Sequence, residues 1–308
     1  MSDVKKLFVI GAGFMGMGIV QTAAMHGFKV KVFDKNPDAA KNGIQKVGAL
    51  FDKGIAKGKY TDEQKSEWLG NMFVATDISE CCEADYIIEA IAENEEIKKE
   101  IFKVVDTYAK ADAVIASNTS SISITALASV LSNPANFIGL HFFSPVPVMG
   151  LLEIVRGLLT SDECATKAQE FGKLMGKTSI TSKDESGFIV NRLCIPMLNE
   201  ACVLLERQVS TIEEIDTGVK LGLNHPMGPL ELADMIGIDI CLSIMTVLHK
   251  ETGDDKYRAA STLRRMVNAG LLGRKSGEGY YIYNADGTKT PNPKLDVVNC
   301  THCQGERA

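Results

Sequence analysis

Residues 11–16, GAGFMG, close an apolar run (KKLFVI) and open a stretch with helical periodicity (MGIVQTAAMHG). No other segment restricts the fold as much. Glycines spaced G-x-G-x-x-G between a strand and a helix mark the first turn of a βαβ unit, and such a unit commits the chain to a parallel sheet. Gly11 permits a tight turn, Gly13 lets a pyrophosphate approach the backbone, and Gly16 lets the helix pack close to the strand. Phe14 and Met15 follow at the helix N-terminus, where free amides and the helix dipole favour an anionic group. The second strand, FKVKVFD, ends in Asp34, 18 residues past Gly16. A carboxylate there accepts hydrogen bonds from ribose hydroxyls and repels a 2′-phosphate, which points to NAD; the neighbouring Lys35 leaves NADP possible.

Further strand-like runs are MFVAT (72–76), DYIIEAIA (85–92), AVIAS (113–117), NFIGLHF (136–142), LLEIV (151–155) and TSITS (178–182). Helical stretches separate the earlier ones, notably 38–57 and 95–109. The alternation predicts an α/β fold, a Rossmann-like, mostly parallel sheet covered on both faces. Only eight residues, Phe143 to Gly150, join the runs ending at 142 and beginning at 151. That is too short for a crossover helix, so the last strands are expected to run antiparallel. Residues 188–272 read as helical, broken at STIEEID, LNHPMGP and ETGDDKYR, with one later strand run at GYYIY (279–283). The expected organisation is a Rossmann-like domain over 1–184, an all-helical C-terminal domain over 185–284 and an extended tail over 285–308.

Composition narrows the partners. With 33 Lys and Arg against 39 Asp and Glu the net charge is −6, which argues against a nucleic-acid or anionic-membrane binder. No apolar run reaches the length of a membrane span, and the N-terminus lacks a signal-peptide layout. The eight cysteines lie mostly in apolar segments, as expected of reduced thiols in a cytoplasmic protein. CTHC (300–303) has metal-ligand spacing, but only His302 lies near the two thiols and a zinc site needs about four ligands. No metal is expected.

Two ionisable residues stand where they are costly. His141 lies near the end of one apolar run and Glu153 in the middle of the next, and burying either group is unfavourable unless it is paired. On their own they suit a structural pair first, and next an acid–base pair in which the carboxylate fixes the imidazole tautomer while the other ring nitrogen works on a substrate. Glu93 and Lys98 follow the fourth strand, where a solvated helix start would look the same. SNTSS (117–121) follows the fifth, at the end of the sheet where ligands bind in open α/β folds, though it would serve equally as a helix cap.

GAGFMG, IIEAIAEN, ASNTSS, HFFSPVPVM, SGFIVNR, NHPMGPLELAD and GRKSGEGYYIY occur in this order. Together they resemble the short-chain L-3-hydroxyacyl-CoA dehydrogenases over about residues 4–283. The resemblance implies reversible hydride transfer between NAD(H) and C3 of a 3-hydroxyacyl- or 3-oxoacyl-CoA, with coenzyme A carried as part of the substrate. It also implies a homodimer, or a higher homo-oligomer, formed through the helical domain. It makes His141 the catalytic acid–base and Glu153 its partner. Ser120 becomes a hydrogen-bond donor to the reacting oxygen, and Asn191 a group that holds substrate. Glu93, Lys98, Asn118, Ser120, Ser144 and Lys275 fall at cofactor-contact positions, and Lys57 at a CoA-contact position. Ser144 replaces the Asn common in the family and reaches less far. Lys57 also suits a solvated helix face, and Asn191 a helix cap. Two other functions share much of this pattern: a dehydrogenase of a free hydroxy or sugar acid, and a non-catalytic structural protein.

Overall fold

All eight strand runs upstream of residue 184 enter one sheet in the computed structural model, which describes residues 5–295. In chain order the elements are β1 (Lys6–Ile10), α1 (Phe14–Met25), β2 (Lys29–Phe33), α2 (Pro37–Ile55), α3 (Asp62–Leu69), β3 (Met72–Val74) and β4 (Tyr86–Glu89). They continue with α4 (Glu95–Tyr108), β5 (Val114–Ser117), α5 (Ile124–Ala128), β6 (Phe137–Phe142), β7 (Leu151–Arg156), α6 (Asp162–Leu174) and β8 (Thr178–Lys183). The sheet order is β3-β2-β1-β4-β5-β6-β7-β8. Neighbours are parallel from β3 through to β6; β7 pairs antiparallel with β6, and β8 parallel with β7, so the last two strands run opposite to the rest.

The near-continuous apolar strands are explained by two cores, one on each face. On β1, Leu7 and Val9 join the core that includes Val20 of α1, Phe51 of α2 and Phe171 of α6. Phe8 and Ile10, pointing the other way, join Phe102 of α4 and Leu127 of α5. Local chemistry sets the helix starts. Pro37 opens α2 behind the Asn36 cap, Asn94 caps α4 with Glu95 and Glu96 in its first turn, and Thr61 and Gln64 form a capping box on α3.

The chain divides into two compact units between Phe188 and Ile189. The second contains α7 (Val190–Glu206), α8 (Ile212–Gly222), α9 (Pro229–Ile236), α10 (Ile238–Thr252), α11 (Ser261–Asn268) and an antiparallel hairpin of β9 (Tyr281–Tyr283) and β10 (Lys289–Pro291). The hairpin differs from the extended tail expected over 285–308. Asn292 is fully buried, its amide nitrogen donating to the Gly279 carbonyl (2.8 Å) and its backbone N–H to the Tyr280 carbonyl (2.9 Å). The CTHC run lies outside the described residues. Among the described residues, no single helix is long and apolar enough to cross a membrane.

Two buried carboxylates tie this unit together. Asp216 accepts from the Leu230 and Glu231 N–H groups (2.7 and 3.0 Å) and so caps α9. Asp234 accepts from the N–H groups of Tyr280 and Tyr281 (both 2.9 Å) and from the Tyr283 hydroxyl (3.0 Å). Gly273 and Gly279 are required beside it, because a Cβ at either would lie 2.3 or 2.0 Å from an Asp234 atom. The motifs NHPMGPLELAD and GRKSGEGYYIY thus meet across Asp234.

Burial pushes the Asp234 carboxyl from its ordinary 3.8 up to about 6, outweighing the hydrogen bonds that favour ionisation. The folded state therefore binds this proton more tightly than the unfolded chain does, and the stabilisation is lost as pH rises from about 4 through about 6. Two outcomes are expected in thermal unfolding. Asp234→Ala leaves two buried N–H groups without their acceptor and loses about 2–5 kcal/mol. The advantage of the wild type over Asp234→Asn shrinks as pH is raised across that window.

Candidate active site

His141 and Glu153 are register partners in the β6–β7 pair. Residues directly opposite in antiparallel strands point to the same face, so a separation of 12 residues, folded about the eight-residue connection, brings the two side chains together. His141 Nδ1 lies 2.7 Å from Glu153 Oε2; the histidine is 6% exposed and the glutamate 0%. With the carboxylate accepting, Nδ1 carries the proton and Nε2 is the ring atom available to a substrate. The Phe143 and Phe188 rings pack against the imidazole, with centroids 4.5 and 5.7 Å away.

The SNTSS loop beyond β5 is joined to this strand by Asn118, whose side-chain oxygen accepts the Phe142 N–H (2.9 Å). Its other anchor is Glu93. One oxygen, Oε1, accepts from the Thr119 hydroxyl (2.5 Å), the Ser120 N–H (3.0 Å) and the Ser121 hydroxyl (3.1 Å). Partial burial works to raise this carboxyl, but the Lys98 charge and these hydrogen bonds outweigh it and hold it below the ordinary carboxylate range. Ser120 is thereby fixed on a loop braced by a charge.

Lys98 is placed differently from a cation facing a ligand. Its side chain is 1% exposed, bonded to Glu89 Oε1 (2.6 Å) and paired with Glu93 Oε2 (3.3 Å). That burial also excludes the solvated helix start for Lys98. Glu89, missed in the sequence reading, also accepts the Ser117 hydroxyl (2.6 Å) and the Ile91 N–H (2.7 Å). A lone carboxylate within the apolar run IIEAIA was its signal, the same oddity that exposed Glu153.

The glycine turn carries the geometry its spacing predicts. Gly11 has φ +106°, and a Cβ at Gly16 would lie 1.9 Å from the Gly11 carbonyl oxygen. At Gly13 the Cβ direction is open, with nothing within 4 Å. Phe14 is 73% exposed beside that opening, while Met15 packs partly against the core. Asp34 steadies the turn, Oδ2 accepting the Ala12 N–H (2.8 Å) and Oδ1 the Asn36 N–H (2.9 Å). Open backbone at the second glycine, with a carboxylate at the end of β2, fits the pyrophosphate and ribose of a dinucleotide.

The other expected positions lie on separate elements. Ser144 is exposed ahead of Pro145, and Lys57 is exposed in the turn after α2. In the second unit, Asn191 stands in the first turn of α7, and Lys275 is ion-paired with Asp239. Among the described residues no group of three or more His, Cys, Asp and Glu side chains is arranged to hold a metal ion.

Residues 6–185 match the family model for the 3-hydroxyacyl-CoA dehydrogenase NAD binding domain, and residues 187–283 the model for the 3-hydroxyacyl-CoA dehydrogenase C-terminal domain. The chain is 49% identical over 278 residues to a probable 3-hydroxybutyryl-CoA dehydrogenase of Deinococcus radiodurans, covering 90% of this chain and 100% of that one. It is 46% identical over 281 residues to a probable 3-hydroxybutyryl-CoA dehydrogenase of Bacillus subtilis, covering 91% and 98%. The crystal structure of the (S)-3-hydroxybutyryl-CoA dehydrogenase PaaH1 from Ralstonia eutropha superposes with a TM-score of 0.89 at 45% identity, covering 92% of this chain and 100% of that one.

Substitutions at two of the glycines should separate folding from cofactor binding. Gly16→Ala forces the helix off the strand and should lose about 1–3 kcal/mol in denaturant unfolding. Gly13→Ala should unfold like the wild type yet bind NADH at least about tenfold more weakly in a fluorescence titration, because its methyl stands where the pyrophosphate must approach.

Proposed function

The chain belongs to the 3-hydroxyacyl-CoA dehydrogenase family, and on that footing we propose that it interconverts short-chain (S)-3-hydroxyacyl-CoA and 3-oxoacyl-CoA with NAD(H), with acetoacetyl-CoA and 3-hydroxybutyryl-CoA as the preferred pair. The observation that carries the reading is the buried His141–Glu153 pair at 2.7 Å on a strand bound to the SNTSS loop. Bound NAD supplies the acceptor or donor of hydride at substrate C3.

The protein's own residues handle the proton and the oxygen. Glu153 holds Nδ1 protonated, so Nε2 takes the hydroxyl proton during oxidation and returns it during reduction. Imidazole suits both directions because its free nitrogen can accept a proton and give it back. Glu153 compensates the positive charge that forms on the ring. Ser120, braced through Glu93, donates a hydrogen bond to the substrate oxygen. Asn191 adds an amide donor that binds alcohol and ketone without titrating. Lys98 acts through Glu93 rather than by touching the cofactor. Asp34 favours NAD over NADP by repelling a 2′-phosphate. Asn118, Ser144 and Lys275 complete the proposed cofactor contacts, and Lys57 meets a CoA phosphate.

The same reading makes the protein a cytoplasmic homodimer that pairs through its helical unit. Free thiols such as Cys202 and Cys241 support the first point, and exposed Leu193, Leu221 and Leu223 on the helical unit support the second.

Steady-state assays with C4 to C16 3-oxoacyl-CoAs and both cofactors test the proposal. Turnover should be highest at C4 with NADH; activity confined to free hydroxy acids would overturn it. His141→Ala should lower kcat by about 10²–10⁴-fold with NADH binding retained. Glu153→Gln should cost about 10–100-fold, as expected for a group that orients the reacting one.

A further inference from the structure

The His141 imidazole is held at Nδ1 by a buried hydrogen bond, and two aromatic rings pack against it. Phe188 is the last residue of the first unit and adopts φ +49°, the left-handed region that bulky side chains avoid. Such a conformation persists only where the surroundings over-determine it, and it clusters at functional positions. Here the surroundings are specific. The Phe188 ring is 6% exposed, in the core that contains Ile124, Leu127 and Val155, and lies 5.7 Å from the imidazole at 60° to it. Its N–H donates to the Glu185 carbonyl at 2.9 Å. Four residues before Phe188, Asp184 clamps the same segment, accepting from the Ser123 hydroxyl (2.7 Å) and from the Ile124 and Thr125 N–H groups (2.9 and 2.7 Å).

We propose that Phe188 is a positioning residue for His141: the left-handed turn after Gly187 sets its ring against the imidazole, and with Phe143 it limits the swing of the ring about the position that the Glu153 hydrogen bond sets. The inference rests on the reading of His141 as the group that moves the proton. A glycine would satisfy the backbone here without cost but could not supply the ring. An aromatic residue at this point ties the segment leading out of the first unit to the reacting side chain.

The test uses the full chain with Phe188→Leu, Phe188→Met and Phe188→Tyr, assayed with acetoacetyl-CoA and NADH alongside Tm and NADH affinity. Leu and Met keep apolar volume, whereas Tyr keeps the ring. Positioning predicts that Leu and Met variants with near wild-type Tm and NADH affinity lose about 10–100-fold in kcat, since displacing a reacting group by about 1 Å costs up to 10²-fold. Phe188→Tyr should recover most of that loss. In 15N-histidine NMR spectra, with His141 assigned by His141→Gln, its signals should be those of one fixed ring in the wild type and averaged in Phe188→Leu. Wild-type kcat and an unchanged His141 signal in any folded variant lacking the ring would overturn the proposal. If no ring-less variant folds, the NMR signal of Phe188→Tyr decides: a fixed ring supports the proposal and an averaged one overturns it. A wild-type protein that turns over no acyl-CoA would instead refute the functional reading beneath it.

Discussion

The antiparallel register of β6 against β7 is the constraint on which the site depends. It places an imidazole directly opposite a carboxylate, both removed from water. Neither could stay there alone at tolerable cost. A slip of one residue would carry one side chain to the opposite face and leave two unpaired polar groups in apolar cores, so the pairing specifies itself. Asn118 adds a lock from the next strand by taking the Phe142 N–H. The loop that bears Ser120 and the strand that bears His141 are therefore one bonded structure.

Buried or half-buried acids recur wherever irregular backbone must be held on a rigid element. Glu89 gathers Lys98, Ser117 and the Ile91 amide at the end of β4. Asp184 holds the start of α5, Asp216 the start of α9, and Asp234 the β9 hairpin. Each takes two or more donors, which compensates the loss of water. The glutamates and Asp184 lie close to the proposed chemistry; Asp216 and Asp234 belong to the helical unit and account for motifs that looked functional in the sequence.

Much of this was legible beforehand because the signals were local. Strands buried on both faces read as apolar runs, the short connection after Phe143 implied the reversed strand, and the cost of burial singled out His141 and Glu153. What escaped notice depended on register or on a single dihedral angle. Lys98 looked like a free cation because its partner Glu89 becomes adjacent only when α4 packs on β4. Phe188 gave no sign of φ +49°. Helix α3 has capping-box spacing at Thr61 and Gln64, but its mostly polar residues carry no apolar periodicity.

The hairpin after Tyr283 carries a practical consequence for anyone trimming the chain. The family match stops at residue 283, yet Pro291 still pairs with Tyr281 and Asn292 still seals the Gly279 and Tyr280 carbonyls from solvent. A recombinant fragment cut at that boundary would bare an edge strand and unsheathe two tyrosines, inviting sticky self-association. Retaining residues through Leu295 preserves this cover, which continues a dozen residues past the end of the family match.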